Sequence, residues 1–104
     1  MLQKIKPVHP GIVLLEDYLK PLGISQNEMA RAMRVPVNRI SEICRGTRSI
    51  TADTAIRLSK AIGTTPEFWM NFQVRYDLDM AQDKSEAKIA QEVIPIDLSH
   101  HALV

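Results

Sequence analysis

The chain of 104 residues contains one cysteine, Cys44, so no disulfide can close within it, and a reducing compartment is expected. No apolar run approaches the roughly 20 residues that span a bilayer. The N-terminus lacks the apolar core of a signal peptide, which predicts a soluble, cytoplasmic protein without membrane contact. Histidine is scarce: His9 stands alone, and His100-His101 form an adjacent pair near the end. A metal site needs ligands at convergent spacing, so no metal is expected and the tail pair reads as solvated. Cys44 has no histidine near it in sequence to activate it and reads as a small buried hydrophobe. There is no glycine-rich phosphate loop, so no cofactor is called for. Together these absences argue against an enzyme. Internal repeats, low-complexity tracts and a parallel-sheet signature are also missing.

What is present centres on Ser25 to Gly46, SQNEMARAMRVPVNRISEICRG. Ser25 can cap a helix start, and Met29, Ala30 and Met33 recur at helical spacing. Val35-Pro36 ends that helix, because the residue before proline is pushed out of the α region. Pro36 can open the next helix, where its missing N–H costs nothing. Ile40 and Ile43 form a second apolar stripe, and Gly46 is a natural stop. Ala30 is small enough for the two helices to cross closely. Two short helices, a tight turn and a polar, basic face on the second helix are the pattern of a helix-turn-helix whose second helix enters the major groove of double-stranded DNA.

Net charge of +1 hides a strong polarity along the chain. Residues 1–19 sum to zero, residues 20–66 carry eight cations against three carboxylates, and residues 67–104 carry three against seven. Five arginines fall between positions 31 and 48, where phosphates would be met.

Around this centre the remaining pattern is helical. A first helix follows His9-Pro10, with Leu15, Tyr18, Leu19 and Leu22 as its buried stripe and Lys20-Pro21 as its end. Thr51 caps a fourth helix with Ala55, Leu58, Ala61 and Ile62 inside and Gly63 as stop. Thr65-Pro66 opens a fifth, whose stripe Trp69, Phe72 and Tyr76 is core. Met70, Val74 and Met80 form a more exposed face suited to a partner. The segment from Asp83 either extends this helix or starts a short one, and Ile94-Pro95-Ile96 breaks it. The expected fold class is all-α, with a DNA-binding domain over residues 1–82 and a C-terminal extension over residues 83–104 that offers dimer or partner contacts.

Candidate DNA-binding residues follow from position and chemistry. Val37, Asn38 and Arg39 occupy the first turn of the recognition helix, and Ser41, Glu42 and Arg45 follow on the side opposite Ile40 and Ile43. Arginine pairs with guanine, asparagine with adenine, and an apolar side chain suits a thymine methyl. Gln26, at the start of the preceding helix, can place its amide beside a phosphate. Arg45, Thr47 and Arg48 flank the helix exit and can clamp the opposite strand.

The motifs HPG at 9–11, LGISQNEMARAM at 22–33, VPVNRISEICRG at 35–46, Arg48 with ITADTAIRLSKAIGTTPEFWMNFQ at 50–73, and YDL at 76–78 resemble those of HigA-type (VapI) antitoxins in the XRE/Cro-like helix-turn-helix group. ITADTA followed by GTTPEFW is far more specific than the generic motif. The resemblance implies a five-helix, lambda-repressor/Cro-like domain that forms a homodimer, represses its own operon and neutralises a HigB-type toxin, a small mRNA-cleaving nuclease. It puts DNA contacts at Gln26 and at Val37 to Arg39. The turn position, often glycine in the family, is Arg34 here. A positive φ there would cost about 1 kcal/mol, which a phosphate contact by Arg34 can offset. The alternatives are a stand-alone XRE-type regulator without a toxin and, in a different class, a helical adaptor that has lost DNA affinity.

Overall fold

A computed structural model describes residues 7–100, and all regular structure among them is helical. The first residues, Lys4 and Lys6 included, and His101 lie outside that range, as does the side chain of His100, so the solvated tail pair is not described. Helix α1 starts as Pro10–Val13, widens into a π-helical stretch Leu14–Leu19, and closes as Lys20–Leu22. Helices α2 (Gln26–Met33), α3 (Val37–Cys44), α4 (Ala52–Ile62) and α5 (Pro66–Glu92) follow, then a single 3-10 turn at Leu98–His100. Serine and threonine caps act where the residue types require them. Ser25 Oγ accepts from Glu28 N–H at 3.0 Å, Thr51 Oγ1 from Thr54 N–H at 3.4 Å, and Thr65 Oγ1 from Phe68 N–H at 3.1 Å.

Leu14, Leu19, Met29, Met33, Ile40, Ile43, Ile50, Leu58 and Trp69 form one core, closed by the small residues Ala30 and Ala55. Trp69 is fully buried, its indole N–H donating to Thr64 Oγ1 at 2.7 Å and its ring packed by Tyr18 and Phe68. Phe72 and Tyr76 are half-buried, at the edge of that core. Gln73 is buried beside them, accepting from Ile50 N–H at 2.8 Å and donating to Asp77 at 2.9 Å. This bridge ties the loop after α3 to α5.

The structure corrects several sequence expectations. Helix α1 does not end at Lys20-Pro21 but runs to Leu22, and Gly23 closes it at φ 68°. The π-helical stretch bonds Lys20 N–H to the Leu15 carbonyl, so Pro21, which has no N–H, falls where the ladder changes register. The extra residue also rotates the stripe: Leu14 and Leu19 point inward, whereas Leu22 is 61% exposed. On α4 the buried face is Thr54, Ala55, Leu58 and Ser59, and Ala61 is exposed. Met70 is half-buried against the core rather than part of an exposed face with Val74 and Met80. Pro36 is the N-cap of α3 (ψ 144°), one position earlier than expected.

Helix α5 runs unbroken across residue 82, where the sequence suggested that an extension begins. Its buried residues are Trp69 and Gln73 alone, so its C-terminal half forms an arm, and the molecule measures 58 × 40 × 23 Å.

Gly11 marks the tightest packing. A Cβ there would lie 1.6 Å from the Ile43 carbonyl oxygen, so α1 can lie on the end of α3 only through a glycine. Gly11→Ala should destabilise by about 3 kcal/mol in urea unfolding, the upper range of overpacking. Gly23→Ala, with open space around its Cβ, should cost only about 1 kcal/mol for its positive φ. Equal shifts for the two would show that α1 can move off α3.

Candidate nucleic-acid interface

Helices α2 and α3 are joined by a left-handed turn centred on Arg34, with φ 59° and ψ 46°. Arg34 N–H bonds the Arg31 carbonyl at 3.2 Å and Val35 N–H bonds that of Ala30 at 3.1 Å, which satisfies the last carbonyls of α2. The Met33 carbonyl accepts from Arg57 Nη1 at 2.9 Å. The turn therefore holds without glycine, and the Arg34 side chain lines a cavity with Arg57, Lys60 and Met33.

Ile40, Ile43 and Cys44 bury the inner face of α3. Burial also pushes the Cys44 thiol pKa up, which keeps it protonated. The opposite face is accessible: Val37, Asn38 and Arg45 are exposed, and Arg39, Ser41 and Glu42 are half-buried. Gln26 meets this face from the start of α2, where its Oε1 accepts from Ser41 Oγ at 2.8 Å.

Two of the cations near α3, Arg48 and Arg39, meet carboxylates. Arg48 Nε donates to Glu42 at 2.7 Å, and Thr47 bonds the Glu42 carbonyl through both N–H (2.9 Å) and Oγ1 (3.1 Å). Glu42, Thr47 and Arg48 therefore form one unit around the helix exit. Asp53 accepts from Arg57 Nε at 2.9 Å and lies 3.7 Å from Arg39 Nη1. Asp53 lies in the first turn of α4 and is not among the site residues singled out from the sequence. Its i,i+4 spacing to Arg57 was a readable signal, but its approach to Arg39 depends on tertiary packing.

His9 was visible in the HPG motif, but its structural role was not assigned from the sequence. It is buried, and its Nδ1 accepts from Gly11 N–H at 2.9 Å, capping α1. Its ring meets Tyr76 edge-on at 4.9 Å, and a hydrogen bond joins it to the Arg48 backbone. The HPG triplet therefore ties α1, α5 and the loop after α3 together. Burial lowers the His9 pKa, opposed in part by the Asp77 carboxylate and by the Arg48 backbone bond.

Two helices joined by a tight turn, the second presenting a polar and basic face, define a helix-turn-helix protein. The helix-turn-helix family model matches residues 15–69. Virulence-associated protein I of Dichelobacter nodosus is 48% identical over 90 residues, which cover 86% of this chain and 81% of that protein. An addiction module antidote protein of the HigA family from Coxiella burnetii superposes with a TM-score of 0.82 at 49% identity, covering 88% of this chain and 100% of that one. The Pseudomonas aeruginosa antitoxin HigA, solved with the higBA promoter, gives 0.82 at 38% identity, with coverage of 86% and 98%. The chain belongs to the HigA family of helix-turn-helix antitoxins.

Because the folded state holds His9 below the ordinary imidazole pKa, the unfolded chain binds more protons in that window. The stability His9 contributes should be complete above about pH 6.5 and fall as pH drops from there through the folded pKa. Protonation would also remove the Nδ1 acceptor that caps Gly11. His9→Asn, which keeps an N-cap acceptor, should flatten this part of the stability profile between pH 7 and 5 in urea titrations. An unchanged slope would assign the acid sensitivity to other groups.

Proposed function

We propose that this chain binds double-stranded operator DNA, with α3 in the major groove, and represses the promoter of its own operon. It acts as a homodimer and neutralises a small mRNA-cleaving toxin of the HigB type in the cytoplasm. The observation that carries the DNA reading is the single accessible face formed by Gln26 and the outer side of α3, flanked by Arg45 and Arg48. In this reading Val37, Asn38 and Arg39 meet base edges, with Ser41 and Glu42 beside them. Gln26, Arg34, Arg45, Thr47 and Arg48 serve the phosphates. The promoter seen with the Pseudomonas aeruginosa relative supports the same target.

Arg39→Ala should cost about 1–3 kcal/mol on the operator and relax preference at one base position. Arg48→Ala should weaken all sequences alike and lower the salt slope by about one unit, as a lost phosphate contact does. Operator affinity unaffected by Arg39→Ala at fixed salt would remove α3 from the reading helix role.

A single domain of this size makes few contacts, so two copies on a palindrome with half-sites about 34–36 Å apart are required. The surfaces offered for this are the outer side of α5 around Phe68 and Phe72, and the exposed Val93, Ile94 and Ile96. Light scattering should give a dimer at micromolar concentration, and a monomer both free and on DNA would refute it.

The toxin is assigned to the acidic arm. Asp77, Asp79, Asp83, Glu86 and Glu92 would repel DNA and attract a basic nuclease, and the exposed Leu78, Met80 and Ile89 supply apolar anchors. Truncation after Met80 retains Trp69 and Gln73, the buried residues of α5, but removes Asp83, Glu86, Ile89 and Glu92, and should weaken toxin capture in calorimetry. Unchanged toxin affinity would return that interface to the helical domain.

A further inference from the structure

Ser41 and Gln26 come from different motif helices, yet their side chains meet at the accessible face. Ser41 Oγ lies 2.8 Å from Gln26 Oε1 and 3.2 Å from the Val37 carbonyl. A serine hydroxyl carries one proton and can donate to only one of these at a time. Donation to Gln26 leaves the amide with Oε1 turned inward and Nε2 turned outward. Donation to Val37 would permit the reverse, with Nε2 bonded to Oγ and Oε1 outward. Oε1 is the amide atom that lies against Ser41 Oγ, so Nε2 is turned outward and the amide presents donors.

The surroundings agree with that polarity. Gln26 is the first residue of α2, where backbone N–H groups and the helix dipole also favour an acceptor. Ser25 Oγ accepts from the Glu28 N–H at 3.0 Å and so does not compete for the amides before it.

We infer that Ser41 is a positioning residue that fixes the polarity of Gln26, so that Gln26 recognises a hydrogen-bond acceptor on DNA and discriminates against donors. The acceptor is a backbone phosphate oxygen or a purine N7, and the two are chemically separable. This inference rests on the DNA-binding reading above. It assigns Ser41 a task other than donating to a base, since its only proton is committed within the protein.

The test is a double-mutant cycle on the full-length chain, with Gln26→Ala, Ser41→Ala and the pair. The probe is a 30-bp duplex recovered by the wild-type protein from a random-sequence pool, at fixed salt. Each single variant should weaken binding about five- to tenfold, the loss of one hydrogen bond to a polar or charged partner. The double variant should be no weaker than Gln26→Ala alone. Ser41→Thr, which keeps the hydroxyl, should restore affinity, and Gln26→Glu, which presents no donor, should be at least as weak as Gln26→Ala.

Methylphosphonate and 7-deazapurine substitutions along the same duplex separate the two acceptors. At one position a substitution should weaken wild type but add nothing to Gln26→Ala or Ser41→Ala. A phosphate position identifies the backbone and a purine position identifies N7. Multiplicative losses in the double variant, or full affinity in Ser41→Ala, would overturn the inference while leaving DNA binding intact. A wild-type protein that recovers no duplex would refute the DNA-binding reading itself, and this inference with it.

Discussion

The whole arrangement depends on one close contact, the backbone of α1 at Gly11 lying against the carbonyl of Ile43 on α3. No side chain fits between them, so the distance between the two helices is set by main-chain atoms. Main-chain packing of this kind has little room to relax, unlike a contact between flexible side chains. His9 secures the contact from one side by capping Gly11, and reaches the Arg48 backbone on the other. Gln73 then holds Ile50 through its backbone N–H. The recognition helix is therefore clamped from behind, at its C-terminal end, while its N-terminal turn stays accessible. Rigid support behind and free groups in front is what a surface that reads base edges requires.

In the proposed interface, the charged groups on that front surface can exchange partners. Arg48 with Glu42, and Arg39 and Arg57 with Asp53, are solvent-accessible pairs, which contribute at most about 1 kcal/mol each. Such pairs do little for the fold but restrict where the guanidinium groups lie before DNA arrives. A phosphate carries a full charge and several acceptor oxygens, so it competes well with one exposed carboxylate. The carboxylates also dilute positive charge, which limits attraction to arbitrary DNA and leaves a larger share of the discrimination to base-edge contacts.

Features whose cause is local were legible in the sequence. Ser25, Thr51 and Thr65 cap their helices as their side chains dictate, and Gly23 and Gly63 close theirs in the left-handed conformation. Arg34 adopts the positive φ that its place in the turn demands. The inner stripes of α2 and α3 were readable for the same reason, since each is a short, uninterrupted run. What escaped was set by distant partners. Leu22 lost its place in the core because a π-helical stretch shifted the period upstream of it. Ala61 is apolar, but its position on α4 faces solvent and the cavity beside Arg57. Gly11 and His9 stood in view as a triplet, but their value lies in Ile43, Arg48 and Tyr76, far along the chain. In the candidate site, residue types and faces were legible, while the pairings Gln26–Ser41 and Arg39–Asp53 needed the fold.

The arm of α5 illustrates how a helix persists where it buries nothing. A separate helix of that length in water would be marginal, because forming its first turn is unfavourable. Here the first turn is already fixed by Thr65, Pro66 and buried Trp69, so each later residue adds a hydrogen bond without a new nucleation step. Alanine, glutamate, lysine and glutamine, which make up nine of the twelve residues 81–92, have high helix propensity. Pairs such as Arg75–Asp79 and Lys88–Glu92 add a few tenths of a kcal/mol each. The helix stops where those terms stop: Pro95 pushes Ile94 toward extended geometry, and Val93 already has ψ 125°. The arm's length is thus written in local chemistry, and its exposed Leu78, Met80 and Ile89 are carried outward by a helix that does not need them for its own stability.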